Sequence, residues 1–282
     1  MNIIINTSNL YVGGGVQVAL SFINELNNIN AKNNYHIFIS KTIKDQIDQH
    51  IFSNKFKFYF IPKSPSHLVE RLKTVKFLSS LERKIIPDVV FTVFGPSYWK
   101  PKAPHIMGFA NGWLYNPMSI AYTKLTLFNR VRMRVFCWYQ EYYLKRDANF
   151  FIVETLDAKS KLSMVSSIDV NKIAVVGNTC SSIFDDRKYI DRDFEHYISL
   201  PKKENHEFRL LYIAHNHPGK NLRVINKVCE LLNDKNITFV VTIDNESYEN
   251  MFSNNPRVMN LGPVAHESCP SIYNQCDVLF AP

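Results

Sequence analysis

The sequence has no apolar run near the roughly 18–20 residues that a membrane-spanning helix needs, so no span is expected. Its start, Met1-Asn2-Ile3-Ile4-Ile5, lacks the basic opening and long apolar core of a secretory leader. Cysteine is scarce. Cys137, Cys180, Cys229, Cys269 and Cys276 make an odd set without a C-x-x-C pair. That excludes a disulfide framework and a cysteine zinc site, and points to a reducing cytoplasm. Short-period repeats and low-complexity tracts are missing too. The Gly-Lys-Ser/Thr of a P-loop does not occur after the glycine triplet Gly13-Gly14-Gly15. The dinucleotide fingerprint fails as well, because its third glycine would fall at Val18. No D-x-D metal motif stands out, and no essential metal or cofactor is expected.

What is present describes a folded chain. At 282 residues it exceeds the usual single domain, and its 46% hydrophobic and 13% aromatic content supports a real core in each of two. The formal charge of +8 implies an anionic partner. Nucleic acid, an anionic membrane face and a phosphorylated small molecule all qualify, and charge alone does not choose among them. No nucleic-acid-binding motif accompanies the charge, so no nucleic acid is expected.

Strand and helix patterns alternate along the chain. Residues 2–6, 35–40, 55–61, 88–93, 105–109 and 150–153 read as strands, with helices over 16–26, 41–50 and 68–83. This alternation predicts an open, mostly parallel α/β sheet. A long helix is expected over 119–146, with Ile120, Leu127, Val131, Val135, Trp138 and Tyr142 on one face. It carries six basic residues against one acid, Glu141. Two readings follow: a core helix with a solvated basic rim, or a basic helix facing a membrane. The charge-rich stretch 181–207 reads as a linker between a first domain, 1–180, and a second, 208–282. In the second, strands at 208–213, 238–243, 257–261 and 277–280 surround helices at 221–232 and 270–275. The last strand lacks a covering helix after it, which predicts an incomplete second domain.

Several residues are candidates for chemistry. Gly13, Gly14 and Gly15 join the first strand to the first helix, where backbone can approach a ligand and free amides favour anions. A tight structural turn is the plainer alternative. The run His215-Asn216-His217-Pro218-Gly219-Lys220-Asn221 follows the first strand of the second domain, at the end where α/β ligands bind. Lys220 is placed at a helix start, where a cation makes most sense with an anion bridging it to the helix amides. It can equally be a solvated surface lysine. His215 and His217 are metal-ligand types without a third partner. His105 opens a strand, either as a buried, hydrogen-bonded structural histidine or as a polar group lining a cleft. Trp113 and Tyr115, close to glycine and asparagine, are candidates to stack on a sugar or a base.

Four ordered segments resemble bacterial family-4-type glycosyltransferases of O-antigen, lipopolysaccharide and capsular polysaccharide biosynthesis. They are 6–26 with its glycine triplet, 151–178, 210–222 with Lys220-Asn221, and 261–282 ending Cys276-Asp277-Val278-Leu279-Phe280-Ala281-Pro282. The resemblance implies the GT-B architecture of two Rossmann-like domains, the second incomplete. It implies a nucleotide sugar, UDP- or GDP-linked, held in the cleft mostly by the C-terminal domain, with the sugar transferred with retention. Lys220, with His215 and Asn221, would contact the donor diphosphate, and the glycine triplet would approach it from the other domain. His105 would match a first-domain catalytic histidine. His215 departs from the pattern, because the family commonly has arginine there. The family's two glutamates spaced eight apart would follow Pro282, so a truncated form with impaired activity is expected. The resulting expectation is a cytoplasmic hexosyltransferase acting on a glycan or lipid-linked acceptor, peripheral at the inner membrane face through 119–146. The alternative is a non-catalytic carbohydrate- or membrane-associated protein that retains the fold.

Overall fold

The computed structural model describes residues 1–29, 32–123, 125–180, 184, 197–216, 220–233 and 235–281. The chain divides into two compact units, Met1–Thr179 and Cys180–Pro282.

In the first unit, β1 (Asn2–Thr7), β2 (Asn34–Ile39), β3 (Phe56–Phe60), β4 (Val89–Thr92), β5 (His105–Gly108), β6 (Phe150–Val153) and β7 (Ile173–Val175) form one parallel sheet. Their order is β3-β2-β1-β4-β5-β6-β7. Successive strand residues face opposite sides, so the sheet builds two cores. Ile5, Ile37 and Ile39 pack beneath α1 (Gly14–Asn28) through Val16, Ala19, Leu20 and Ile23. On the other face, Ile4, Phe38 and Val90 meet Leu78 and Leu81 of α3 (Arg71–Ile85), closed by fully buried Trp99. Apolar residues on both faces are what a parallel sheet covered by helices requires.

Between β2 and β3 the expected ten-residue helix shrinks to α2 (Lys41–Lys44) and a later 3-10 turn, Gln49–Ile51. Two caps explain the break: Ser40 accepts from the Ile43 amide, and Asp48 accepts from His50. After β5 come α4 (Gly112–Tyr115), α5 (Ile120–Thr123) and α6 (Leu127–Asp147). The expected single helix therefore begins afresh at Thr126, whose hydroxyl accepts from the Asn129 amide. The helix α7 (Leu156–Ser166) then leads to β7, and neither was read from periodicity.

The core-helix reading of 119–146 is overturned. Leu127, Val131, Trp138 and Tyr142 are 76%, 55%, 67% and 53% exposed. With Phe128 and Val135 they fall within about 100° of helical arc. Leu144 and Gln140 lie on the opposite arc; Leu144 is buried in a core with Met107, Phe151 and Leu162. The helix holds to the sheet by a short face and turns its apolar stripe outward. A polar clamp supports the inner side: Arg71 donates to the hydroxyls of Tyr139 and Tyr143, at 2.8 Å for Tyr143. The same guanidinium stands 4.9 Å from the Tyr98 ring centre and 5.0 Å from that of Tyr143.

The second unit repeats the plan in smaller form. It contains β8 (Phe208–Tyr212), α8 (Val224–Leu231), β9 (Ile237–Val241), α9 (Asn245–Phe252), β10 (Val258–Asn260), α10 (Cys269–Tyr273) and β11 (Val278–Leu279). The parallel strands lie in the order β10-β9-β8-β11. Tyr212, Phe239 and Val241 pack with Ile225 on one face, and Leu211 and Val240 with Ile272 on the other. At its amino edge the buried Arg209 donates to Glu207 at 2.8 Å, and this bond holds the Glu207 carboxyl down at about 2.

Candidate functional site

Both sheets reverse direction around their first strand. The order runs β3-β2-β1 and then jumps to β4; likewise β10-β9-β8 and then β11. Ligands of open α/β sheets bind at such switch points, beyond the carboxyl ends of the strands. The loops after β1 and β8 occupy equivalent places in the two units, and each carries a group of sequence-predicted residues.

After β1, Asn9 bridges the switch point: its amide donates to the carbonyls of Phe94 at 2.6 Å and Pro96 at 3.0 Å, in the loop after β4. Ser40 and Thr42 hold the next two carbonyls, those of Leu10 (2.5 Å) and Tyr11 (3.0 Å). The chain then turns through Gly13, whose φ of 78° is left-handed territory that favours glycine. Gly13 supplies no side-chain cap, and α1 has no acid in its first turn. A side chain at Gly15 would come within 3.3 Å of the Phe94 ring, a tight contact to which the ring would have to yield. Gly14 is different: a Cβ there would meet nothing within 4 Å. The fold gives no steric reason for glycine at 14, and the exposed helix start stays open to an anion.

After β8, the Tyr212 hydroxyl donates to the Lys220 carbonyl at 2.5 Å and anchors the loop's far end. Asn221 takes a left-handed conformation, φ 48°, so the helix starts later than the sequence suggested. Lys220 stands one turn ahead of α8, not at its start. Its side chain is exposed and makes no ion pair with the described residues. His215 is exposed at the loop's near end, and Asn216 donates to Ser247 at 3.0 Å. His217, the other half of the metal-ligand pair, lies outside the described residues, as do Pro218 and Gly219.

His105 takes the structural alternative. It is 1% exposed and sits at the amino end of β5, the edge opposite the switch-point loops. Its Nδ1 lies 2.6 Å from the Asp147 carbonyl, which can only accept, so the proton is on Nδ1. Nε2 then accepts from the Thr92 hydroxyl at 2.8 Å, and Thr92 in turn accepts from Asn6. Burial lowers the imidazole to about 4, keeping it neutral. Both ring nitrogens are spent inside the unit, and the cleft-lining catalytic role expected of His105 is corrected to a structural one.

Trp113 and Tyr115 do lie beyond the carboxyl end of β5, two strands from the glycine loop. Their rings are partly committed. Tyr115 donates to the Phe109 carbonyl and meets the Phe109 ring edge-on, while Trp113 meets Tyr122 edge-on at 5.1 Å. Each is only half-buried. The sequence reading missed Asn9, Tyr98 and Arg71. Asn9 reaches carbonyls 85 and 87 residues away, Arg71 reaches phenols 68 and 72 away, and Tyr98 meets Arg71 from 27 away, pairings no local spacing reveals.

No family model and no curated protein matches the sequence. Solved structures do match in shape. HepE from Anabaena, in complex with UDP-glucose, superposes with a TM-score of 0.60 at 11% identity, over 99% of this chain and 73% of that one. The chain has the GT-B fold. A glycosyltransferase from Rickettsia africae ESF-5 gives a TM-score of 0.60 at 13% identity, over 99% and 72%. The UDP-GlcNAc 2-epimerase from Neisseria meningitidis, bound to UDP-GlcNAc, gives 0.52 at 12% identity, over 99% and 76%. The fold is thus shared with a glycosyltransferase and an epimerase, and HepE and the Neisseria epimerase were each solved with a nucleotide sugar.

Proposed function

We propose that the chain is a glycosyltransferase that binds a nucleotide sugar through its second unit and transfers a hexosyl group with retention. Lys220 carries this reading. A lysine with no ion-pair partner among the described residues, exposed at the switch point of a parallel sheet, is fixed through its own carbonyl by the Tyr212 hydroxyl. An ammonium held there is suited to a diphosphate, and it stabilises negative charge as a nucleoside diphosphate departs. The open amides at Gly13 and Gly14 make a second anion-favouring point, in the first unit. The acceptor in this reading is a lipid-linked glycan intermediate of the O-antigen or capsule type. The outward stripe of α6 supports an anionic lipid surface as the place of reaction: Arg134 and Lys145 flank the apolar arc on one side, Arg132 and Arg146 on the other.

A second reading, epimerisation of a nucleotide sugar, is favoured by the fold's likeness to the UDP-GlcNAc 2-epimerase. One pair of measurements separates them. Calorimetry with UDP should give binding that weakens about tenfold or more in Lys220→Ala, the loss expected for a charge-assisted contact. An unchanged dissociation constant removes Lys220 from the site. Proton NMR of UDP-GlcNAc incubated without acceptor then decides the chemistry: inversion at the sugar C2 means an epimerase, and its absence together with acceptor-dependent UDP release means a transferase.

A further inference from the structure

The two faces of the first sheet differ in charge. Ile4 pairs with Val90, and Val90 with His105; two residues on, Met107 pairs with Phe151. Alternate residues of a strand share a face, so the core under α3 and the core under α6 lie on one side of the sheet. Helix α1 covers the other side and carries no basic residue. On the first side α3 and α6 are neighbours, and Arg71 joins them directly through Tyr139 and Tyr143.

The outer arc of α3 resembles that of α6. Opposite its buried Thr74, Leu78 and Leu81, α3 turns Leu72, Lys73, Lys76, Phe77, Arg83 and Lys84 outward, all exposed. Just ahead of it Leu68 and Val69 are 73% and 81% exposed. Among the described residues, neither helix has an exposed carboxylate. Glu82 is buried and accepts from the Lys102 and Ala103 amides, Glu141 is held by Lys145 at 2.6 Å, and Asp147 is buried beside Arg146. Both helices therefore present exposed apolar side chains together with cations. That composition suits a bilayer with anionic headgroups. It argues against a second copy of this chain, because two such faces would set cation against cation.

We propose that α3 and α6 form one bilayer-docking face on which the first sheet lies flat, its strands parallel to the membrane. The α6 stripe enters the headgroup region, and Lys73, Lys76, Arg83 and Lys84 of α3 hold anionic headgroups beside it. The inference rests on the lipid-facing reading of α6 and adds to it a second helix and an orientation. That orientation fixes which edge meets the membrane. The 21 residues of α6 span about 31 Å, against about 13 Å for the four-residue strands β5 and β6. Asn111, just past the end of β5, donates to Gln140, so the turns of α6 before Gln140 pass beyond the carboxyl ends of the strands. Leu127, Phe128 and Val131 stand on those turns and bring the lipid surface alongside the sheet's carboxyl edge, where the loop of Gly13 and Gly14 lies.

The test is flotation of the full chain with vesicles of phosphatidylcholine, with and without phosphatidylglycerol. The double variant Lys73→Gln/Lys76→Gln leaves α6 untouched. A lysine close to an anionic surface contributes about fivefold, so the pair should cost about tenfold or more in partitioning to phosphatidylglycerol vesicles. The melting temperature should stay unchanged, since both side chains are exposed. Unchanged partitioning overturns the role of α3 and leaves the lipid reading of α6 standing; no binding by wild type overturns both. Quenching by brominated lipid then reads the orientation. In a Trp138→Phe background, Phe77→Trp on α3 should be quenched, and Val18→Trp on α1, on the opposite face, should not. Quenching no stronger at position 77 than at position 18 overturns the flat orientation. UDP binding, measured apart, decides the transferase reading and leaves this face untouched.

Discussion

His105 offers a sharp test because its environment fixes both a protonation state and its consequence. In the unfolded chain an imidazole titrates near 6.5, whereas in the folded chain burial holds this one at about 4. Between those values the unfolded state binds a proton that the folded state refuses. Stability is therefore unaffected above the unfolded pKa and is lost as pH falls from 6.5 toward 4. Near pH 4.5 the two constants imply a loss of about 2.5 kcal/mol from this one residue, most of the full shift. Urea unfolding of wild type and His105→Gln, at pH 7 and near pH 4.5, isolates it. At pH 7 the variant should be less stable by about 1–3 kcal/mol, because Thr92 and the Asp147 carbonyl lose their partner. Near pH 4.5 that gap should close or reverse, because wild type alone carries the imidazole penalty. A gap that stays constant with pH, or an NMR titration of the ring near its unfolded value, would refute the buried, neutral assignment.

Three further outcomes follow from particular contacts. Gly108→Ala should destabilise the first unit by about 3 kcal/mol or more in urea, because its Cβ would lie 1.9 Å from the Val93 carbonyl oxygen and backbone would have to move. Equal stability would mean that β4 and β5 are not packed as described. Gly14→Ala should fold at least as well as wild type, gaining about 0.5–1 kcal/mol from helix propensity, since a Cβ there meets nothing. A clear loss of stability would show that position 14 is constrained after all. Wild type should co-sediment with vesicles containing an anionic lipid in a salt-sensitive manner, and Leu127→Ser/Trp138→Ser should cut that partitioning about tenfold or more. Failure to bind vesicles, with a dimer seen by light scattering, would instead assign the stripe to a second copy of the chain.

Most of the fold was legible because a parallel sheet covered by helices writes itself locally. Ile3, Ile4 and Ile5 before a glycine turn, or Leu210, Leu211 and Tyr212 before a polar loop, announce strands within a few residues. The failures came where side chains overrode periodicity. Ser40 and Asp48 cut one expected helix into two short turns, and Asn221 delayed another. Periodicity also fixes which residues share a helical face, but not which way that face points. In α6 the stripe was placed correctly on one face, and only Arg71, 68 residues earlier, and Leu144 decide that it faces outward. The same limit governs His105. Its position at a strand start was plain, yet its partners Thr92 and Asp147 become neighbours only once three strands are assembled.

The clamp beneath α6 has a consequence for what happens when its outer face loses water. An ordinary surface helix is fastened by burying its oily side, so a greasy environment competes for the fastening and peels it away. This helix, besides burying Leu144 in the core beneath it, is fastened through one guanidinium, two phenol hydroxyls and the faces of Tyr98 and Tyr143. Charge-assisted and cation–π contacts grow stronger as the surrounding dielectric falls. Solvents that weaken the Leu144 contact should strengthen this clamp, so the stripe is displayed on a mount that gains hold at one point as an oily surface takes it at another.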